Sequence, residues 1–264
     1  NNGEVEWSRN FGGSGNDHFS AVVEASDGYV AVGETASDDG DIEDFKGIPN
    51  DAIIVKYDLN GNVVYKRSYG SDNSATNAGH ESFRSITMDG DDYVIVGNMA
   101  GFGKDADLEG VEGLVRQNEG IILKMDSNFN TIWRSFFVGN YNENFRKVIK
   151  TSDNHFVVVG SSSSKNHDME GIGYLTPSLN TEAIIVKYDN EGNLITKASF
   201  QGEKKEIFND VVEVDDGYIM VGESTSATTD MQNLSKADNG YIDAIIVKFD
   251  KELMTNLSMN KDET

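Results

Sequence analysis

The chain has 264 residues, a formal net charge of −23, 27 glycines and no cysteine. The acidic charge argues against binding to nucleic acid or to an anionic membrane surface, because both need a basic footprint. The lack of cysteine excludes disulfides and thiolate chemistry, and no apolar run reaches the roughly 18 residues of a membrane-spanning helix. We therefore expect no nucleic-acid partner and no membrane insertion.

One phrase occurs four times along the chain, and three of its positions keep the register. They are a glycine (Gly33, Gly97, Gly160, Gly222), a phenylalanine (Phe19, Phe83, Phe145, Phe208) and a lysine (Lys56, Lys124, Lys187, Lys248). Repeats of this length with several strands each are typical of propellers and solenoids. The sequence therefore predicts an all-β fold, a β-propeller of four four-stranded repeats of about 63 residues. The four blades either close on themselves or belong to a longer array.

The repeats span about 4–62, 63–130, 131–193 and 194–254, and we expect a single domain over residues 1–264. In the first repeat, stretches rich in β-branched and aromatic residues predict four strands. These are His18–Ser26, Gly28–Glu34, Asp51–Asp58 and Val63–Tyr69. Asp27-Gly28 predicts a type I′ hairpin, because glycine adopts positive φ without strain. Asp58–Asn62 predicts a second tight turn.

The other links within the repeats are long and differ from copy to copy. They cover residues 35–50, 99–118, 161–181 and 223–242. Successive turns of an antiparallel sheet lie at opposite ends, so all the long links are expected on one face of the propeller. Variable loops on a rigid scaffold are where binding usually occurs.

The phrase of the last strand in each repeat occurs five times, once more than the other three. Its copies are Val5–Gly12, Val63–Gly70, Thr131–Gly139, Leu194–Gly202 and a degenerate stretch within 253–260. We expect the N-terminal copy to serve as an outer strand that closes the fourth blade.

The segment from Phe11 to Asp17, then Tyr29–Gly33, then Asp51–Asp58 with Gly61-Asn62, resembles the bacterial β-propeller repeat of secreted and cell-surface proteins. This resemblance implies a propeller located outside a bacterial cell or on its surface. The repeat also looks like that of quinoprotein enzymes, with Trp7, Tyr65 and Trp133 in one column. That comparison implies that the phenylalanine strand is innermost, and it transfers no cofactor.

An acidic column stands two residues before each repeated phenylalanine: Asp17, Glu81, Glu143 and Glu206. In one interpretation these carboxylates surround a channel mouth and bind a ligand or concentrate cations. In the other, which we favour, they accept hydrogen bonds from loop N–H groups or pair with the repeated lysines.

The loop after the second strand is also acidic and contains Asp38, Asp39, Asp41 and Glu43. Calcium binds six to eight oxygens, so such a loop is a candidate calcium site, but the spacing matches no EF-hand. We favour a solvated loop and predict no cofactor. An Asp followed by an aliphatic residue, as in Asp41-Ile42, predicts a loop that folds back onto its blade.

Aromatic residues in the long links form the last candidate site: Phe45, Phe102, Tyr174 and Tyr241. Exposed aromatic side chains can anchor a peptide or stack on a sugar. Since nucleophile elbows and phosphate loops are missing from the sequence, we predict a non-catalytic module that binds a protein or a glycan. The alternative is a carbohydrate-active hydrolase or lyase that uses two carboxylates of the acidic column. The oligomeric state is not predicted.

Overall fold

The computed structural model describes residues 3–43, 51–70, 80–100, 118–172, 180–226 and 241–253. These residues form fifteen β-strands, two short 3-10 turns and no α-helix, so the all-β prediction is confirmed. Within these ranges, no helix has the length and apolar character to cross a membrane. The chain divides into two compact units, Asn1–Phe136 and Phe137–Thr264.

The first unit contains two antiparallel sheets, each with its four strands in chain order. Sheet 1 consists of β1 (Asp17–Ala25), β2 (Gly28–Thr35), β3 (Asp51–Asp58) and β4 (Val63–Tyr69). Sheet 2 consists of β5 (Ser82–Asp89), β6 (Asp92–Ala100), β7 (Asn118–Met125) and β8 (Thr131–Phe137). The strands predicted for the first repeat are confirmed to within one residue.

The second unit repeats this pattern. Sheet 3 consists of β9 (Glu143–Lys150), β10 (Phe156–Ser162), β11 (Glu182–Tyr188) and β12 (Leu194–Phe200). Sheet 4 has three strands among the described residues: β13 (Glu206–Val214), β14 (Gly217–Ser224) and β15 (Asp243–Asp250). The chain therefore has one antiparallel sheet for each sequence repeat, as blades of a β-propeller require.

The tight turns follow the prediction with one difference. Asp58 accepts hydrogen bonds from the backbone N–H groups of Asn60 and Asn62, at 2.9 and 2.8 Å, and from the Asn62 side chain. The hairpin before Gly28 exists, but its central residues are Ser26 and Asp27, and neither has positive φ, so the type I′ prediction is wrong. Gly28 is required instead because a Cβ there would collide with the Tyr57 carbonyl oxygen.

The repeated lysines pair with the aspartates of these hairpins and not with the acidic column. The Nζ to Oδ distances lie between 2.6 and 2.7 Å for Lys56–Asp27, Lys124–Asp89, Lys187–Asp153 and Lys248–Asp216. At Asp153 partial burial raises the pKa, but hydrogen bonds from Lys187, Thr151 and His155 outweigh it and hold the pKa well below 3.8. Each pair ties the hairpin of the first two strands to the third strand.

The repeated glycine lies opposite a β-bulge in the first strand of each sheet. In sheet 2 the register shifts between Phe83 and Ser85, directly across from Gly97. A Cβ on Gly97 would lie far closer to the Ser82 carbonyl oxygen than van der Waals contact allows, and each of the other three glycines faces the equivalent carbonyl of its own sheet. The column therefore exists for lack of space and not for a special φ.

We predict that Gly97→Val lowers the free energy of unfolding by about 2 kcal/mol or more, because the bulged strand has to move away from the new side chain. Chemical denaturation of both proteins measures this difference. Gly90→Asn is the control: Gly90 has a φ of 64° with nothing within 4 Å of its Cβ position. Asparagine tolerates this backbone conformation, so its effect should be about 0.5 kcal/mol or less. A neutral Gly97→Val would contradict the steric explanation.

The two sheets of the first unit pack through one recurring interface. Strand β5 lies against β1, β2 and β3. We call the covered side of sheet 1 its socket face, formed by Val30, Val32, Ala52 and Ile54. We call the side of sheet 2 that covers it a plug face, formed by Phe83, Ile86, Tyr93, Ile95 and Ile121. All these side chains are buried in one core.

The second unit contains the same interface. Strand β13 lies against β9, β10 and β11. The socket face of sheet 3 comprises Val157, Val159, Ala183 and Ile185, and the plug face of sheet 4 comprises Phe208, Val211, Tyr218, Met220 and Ile245. Because the same repeat positions form both interfaces, they are a property of the repeat.

Candidate binding surface

The acidic column lies at the start of the first strands and is engaged in hydrogen bonds. Asp17 accepts from the Gly13 N–H at 2.8 Å, from the Ser37 hydroxyl at 2.7 Å and from the Thr35 hydroxyl at 2.5 Å. Partial burial raises the pKa of Asp17, but these bonds outweigh it and hold the pKa below 3.8. This carboxylate joins the two loops that flank it.

The other three acids of the column are fully buried. Glu143 accepts from the Ser162 hydroxyl at 3.0 Å, and Glu206 accepts from the hydroxyls of Ser224, at 2.9 Å, and Ser226. A buried carboxylate needs such partners to remain stable. The structure thus supports the interpretation in which the acids hold their own repeat together.

In sheets 1 and 3, a second acid stands in register with the acid of the column, across the middle strand. This second acid was not predicted as a site residue from the sequence. Thr35 of β2 stands in register with Asp17 on one side and Asp51 on the other. Ser162 stands in the same way between Glu143 and Glu182. The available signal was an acid five residues before each repeated lysine.

The acidic loop is held against the first repeat by backbone donors. Asp39 accepts from the Ser14 N–H at 2.6 Å and Asp41 from the Gly12 N–H at 3.1 Å. Ile42 is buried, so the loop folds back as predicted, and Asp168-Met169 does the same in the third repeat. Within the described part of the chain, no three His, Cys, Asp or Glu side chains converge as metal ligands.

For Asp17→Asn we predict a loss of about 1–3 kcal/mol in the free energy of unfolding at pH 7, because charge-assisted hydrogen bonds are lost. The pKa of Asp17 in the folded state is lowered, so its contribution is present above pH 3.8 and disappears as the pH falls below that value. Denaturation curves at pH 7 and pH 3 should therefore show the difference from wild type shrinking. Asp38→Asn removes the same charge from an exposed side chain and should change little. An equal loss in both variants would contradict the prediction.

We predict that EDTA changes the melting temperature by no more than about 1 °C, because only a bound ligand stabilises by mass action. Thermal melts in EDTA and in millimolar calcium measure this. A rise of several degrees with calcium, abolished in Asp39→Asn, would make the acidic loop a metal site.

The aromatic candidates of the long links lie mostly outside the described residues. Phe45, Phe102 and Tyr174 lie outside the residues that the structure describes. Tyr241 is described, stands just before β15 and is 76% exposed.

An exposed aromatic surface, not predicted from the sequence, lies on the side of sheet 1 opposite its socket face. We call this side the plug face of sheet 1, because Phe19 corresponds to Phe83 and Phe208 in the plug faces of sheets 2 and 4. A cavity of about 440 Å³ opens there, and it is lined by Trp7, Arg9, Phe19, Val22, Tyr29 and Tyr57. Ring centroids of Trp7 lie 6.0 Å from Tyr29 and 6.4 Å from Tyr57. The Arg9 guanidinium stands 5.8 Å from the Trp7 ring and donates to the Asn60 carbonyl oxygen. This side of the sheet is apolar yet accessible to a partner.

One residue of this surface, Phe19, belongs to a repeated column of the sequence, but its exposure is known only from the structure. Phe19 belongs to the repeated phenylalanine column, whose other three members are fully buried, but it is 40% exposed. Membership in a column indicates a core position, so the exposure of one member could not be predicted.

Comparisons with protein-family models and with curated proteins found no significant match, so the family of this chain is not assigned by similarity.

Proposed function

We propose that this chain is a non-catalytic interaction module that binds a protein partner through the plug face of sheet 1. The observation that carries the proposal is the accessible aromatic cavity around Trp7, Phe19 and Tyr57. Aromatic residues and arginine are the types enriched at protein interfaces, and apolar patches of this kind mark interaction sites. The resemblance of the repeat supports a secreted or surface-attached bacterial protein.

The burial of the acidic column supports a binding role over the hydrolase alternative. A glycosidase needs two carboxyl groups that reach the substrate on either side of the scissile bond. Glu81, Glu143 and Glu206 are fully buried, and Asp17 is occupied by loop donors. Asp17, Glu143 and Glu206 each accept hydrogen bonds from hydroxyl groups of their own repeat, whereas catalysis would require two acids that are open and different.

The test is a protein and glycan array probed with the wild type and with Val22→Asp. Val22 lines the cavity and is 63% exposed, so the substitution should leave folding intact. We expect a protein ligand whose binding weakens at least tenfold in Val22→Asp, because a charge is placed in an apolar contact. Tyr241→Ala, at the long links, is the control and should bind as the wild type does.

Loss of binding in Tyr241→Ala alone would move the site to the long links. Turnover of a glycan that Glu206→Gln abolishes in a folded protein would favour the hydrolase. No ligand sensitive to either surface substitution would contradict the proposed function.

A further inference from the structure

The socket face of sheet 4, formed by the positions equivalent to those of sheets 1 and 3, is not covered by any strand among the described residues. In sheets 1 and 3 the corresponding positions are buried under the next sheet, as at Val32 and Val159. The equivalent residues of sheet 4 are exposed: Val221 is 46% and Ile246 is 74% accessible. The Lys248 side chain, in the repeated lysine column, is 49% exposed, whereas those of Lys124 and Lys187 are each 8% exposed.

The plug face of sheet 1 packs against no socket face among the described residues. Phe83 and Ile86 of sheet 2, and Phe208 and Val211 of sheet 4, lie buried against the socket face of the preceding sheet. Their counterparts in sheet 1 are Phe19 and Val22, which form the wall of the open cavity. The described residues therefore display both halves of the interface that is formed inside each of the two units.

The N-terminal residues are placed as an outer strand would be, but they lie in no sheet. The Phe11 and Phe19 rings are 5.9 Å apart, as Tyr69 and Phe83 are 5.4 Å apart where β4 leads into β5. Residues 4–13 nevertheless form no strand, so the predicted outer strand over Val5–Gly12 is absent from the described residues. A strand requires a neighbouring edge to bond with, and sheet 1 already has its four strands.

Within the described part of the chain, β15 of sheet 4 is such an edge. Strand β15 pairs with β14, and no further strand follows it among the described residues. In sheets 1 and 3 the corresponding strands, β3 and β11, each bond an outer strand.

We propose that this chain associates head to tail with a second copy of itself: sheet 4 of one copy receives the plug face of sheet 1 and residues 5–11 of the other. The proposal rests on the proposed function and names its partner. Because another repeat covers the socket face inside each unit, the occupant of this one is another repeat of the same sequence. A contact between two different patches is heterologous, so it builds either a ring or a chain of copies.

The register of the added strand follows from the internal examples. In sheet 1, Lys56 faces Tyr65, Ile54 faces Arg67 and Ala52 faces Tyr69. By the same alignment Lys248 of one copy would face Trp7 of the other, Ile246 would face Arg9, and Ala244 would face Phe11. Phe19 would then share a core with Ile246 and Val221, as Phe83 does with Ile54 and Val32 in the first unit.

The negative charge of the chain opposes this association, so the affinity should depend on the salt concentration. Each copy carries a formal charge of −23, so two copies repel at low ionic strength. Screening shortens the range of that repulsion to about 10 Å at 0.1 M salt and about 3 Å at 1 M. The association should therefore tighten as salt is raised, opposite to an interface held by ion pairs.

The experiment is sedimentation equilibrium of the full chain over a wide concentration range, at low and high salt. We expect the wild-type mass to rise above the monomer with concentration, at lower concentrations in high salt. Val22→Asp blocks the plug and Ile246→Asp blocks the socket, and each alone should stay monomeric, with at least tenfold weaker association. Mixed together they should form a one-to-one dimer and nothing larger, because each retains the half that the other lacks.

Ile132→Asp is the matched control: Ile132 is 50% exposed on the outer strand β8, outside both faces, and should associate as the wild type does. Circular dichroism checks that all variants fold. A wild type that stays monomeric at every concentration and salt overturns the proposal, and so does a mixture that fails to dimerise. If the wild type is monomeric but Val22→Asp loses a foreign ligand on the array, only the second-copy partner is wrong and the interaction module stands.

Discussion

A sheet with apolar side chains on both faces is stabilised when a neighbouring sheet covers them, and this constraint organises each of the two units. The first strand of one repeat lies across the preceding sheet and brings its phenylalanine down onto the socket face, as Phe83 and Phe208 do. The strand is bulged at that point, and the glycine opposite leaves space for its carbonyl. Any side chain at Gly97 would therefore disturb both the sheet and the interface between sheets.

The polar residues serve the same arrangement at its ends. At one end of each sheet, the repeated lysines pair with the hairpin aspartates and so hold the hairpins against the third strands. At the other end, Asp17, Glu143 and Glu206 accept hydrogen bonds from hydroxyl groups where the long loops begin. A repeated acid near loops resembles a functional site in the sequence. In the structure its regularity has a simpler cause, since every repeat must satisfy the same buried backbone and hydroxyl groups.

Repeat proteins usually end in units whose outer face is polar, because the last interface has no neighbour. The first and the last described sheets of this chain do not have such a polar face. Val22 in the first sheet and Ile246 in the last remain apolar and accessible, although nearly every other member of their columns lies in a core. These two faces keep the repeat pattern but are not covered by any described residue, so the proposed interactions are assigned to them.

The sequence by itself determined the strands, the repeat and the columns, because local propensity and a fixed spacing suffice for them: β3 and β4 match the predicted bounds. It also indicated that Asp41-Ile42 folds back. Only the tertiary structure decided which members of a column are covered, since burial depends on the neighbouring sheet and not on the residue. Phe19 and Phe83 are the same residue in the same register, yet one lines an open cavity and the other lies in a core. For the same reason Val5–Gly12 reads as a strand but forms none, because hydrogen bonding across a sheet requires an edge that the local sequence cannot supply.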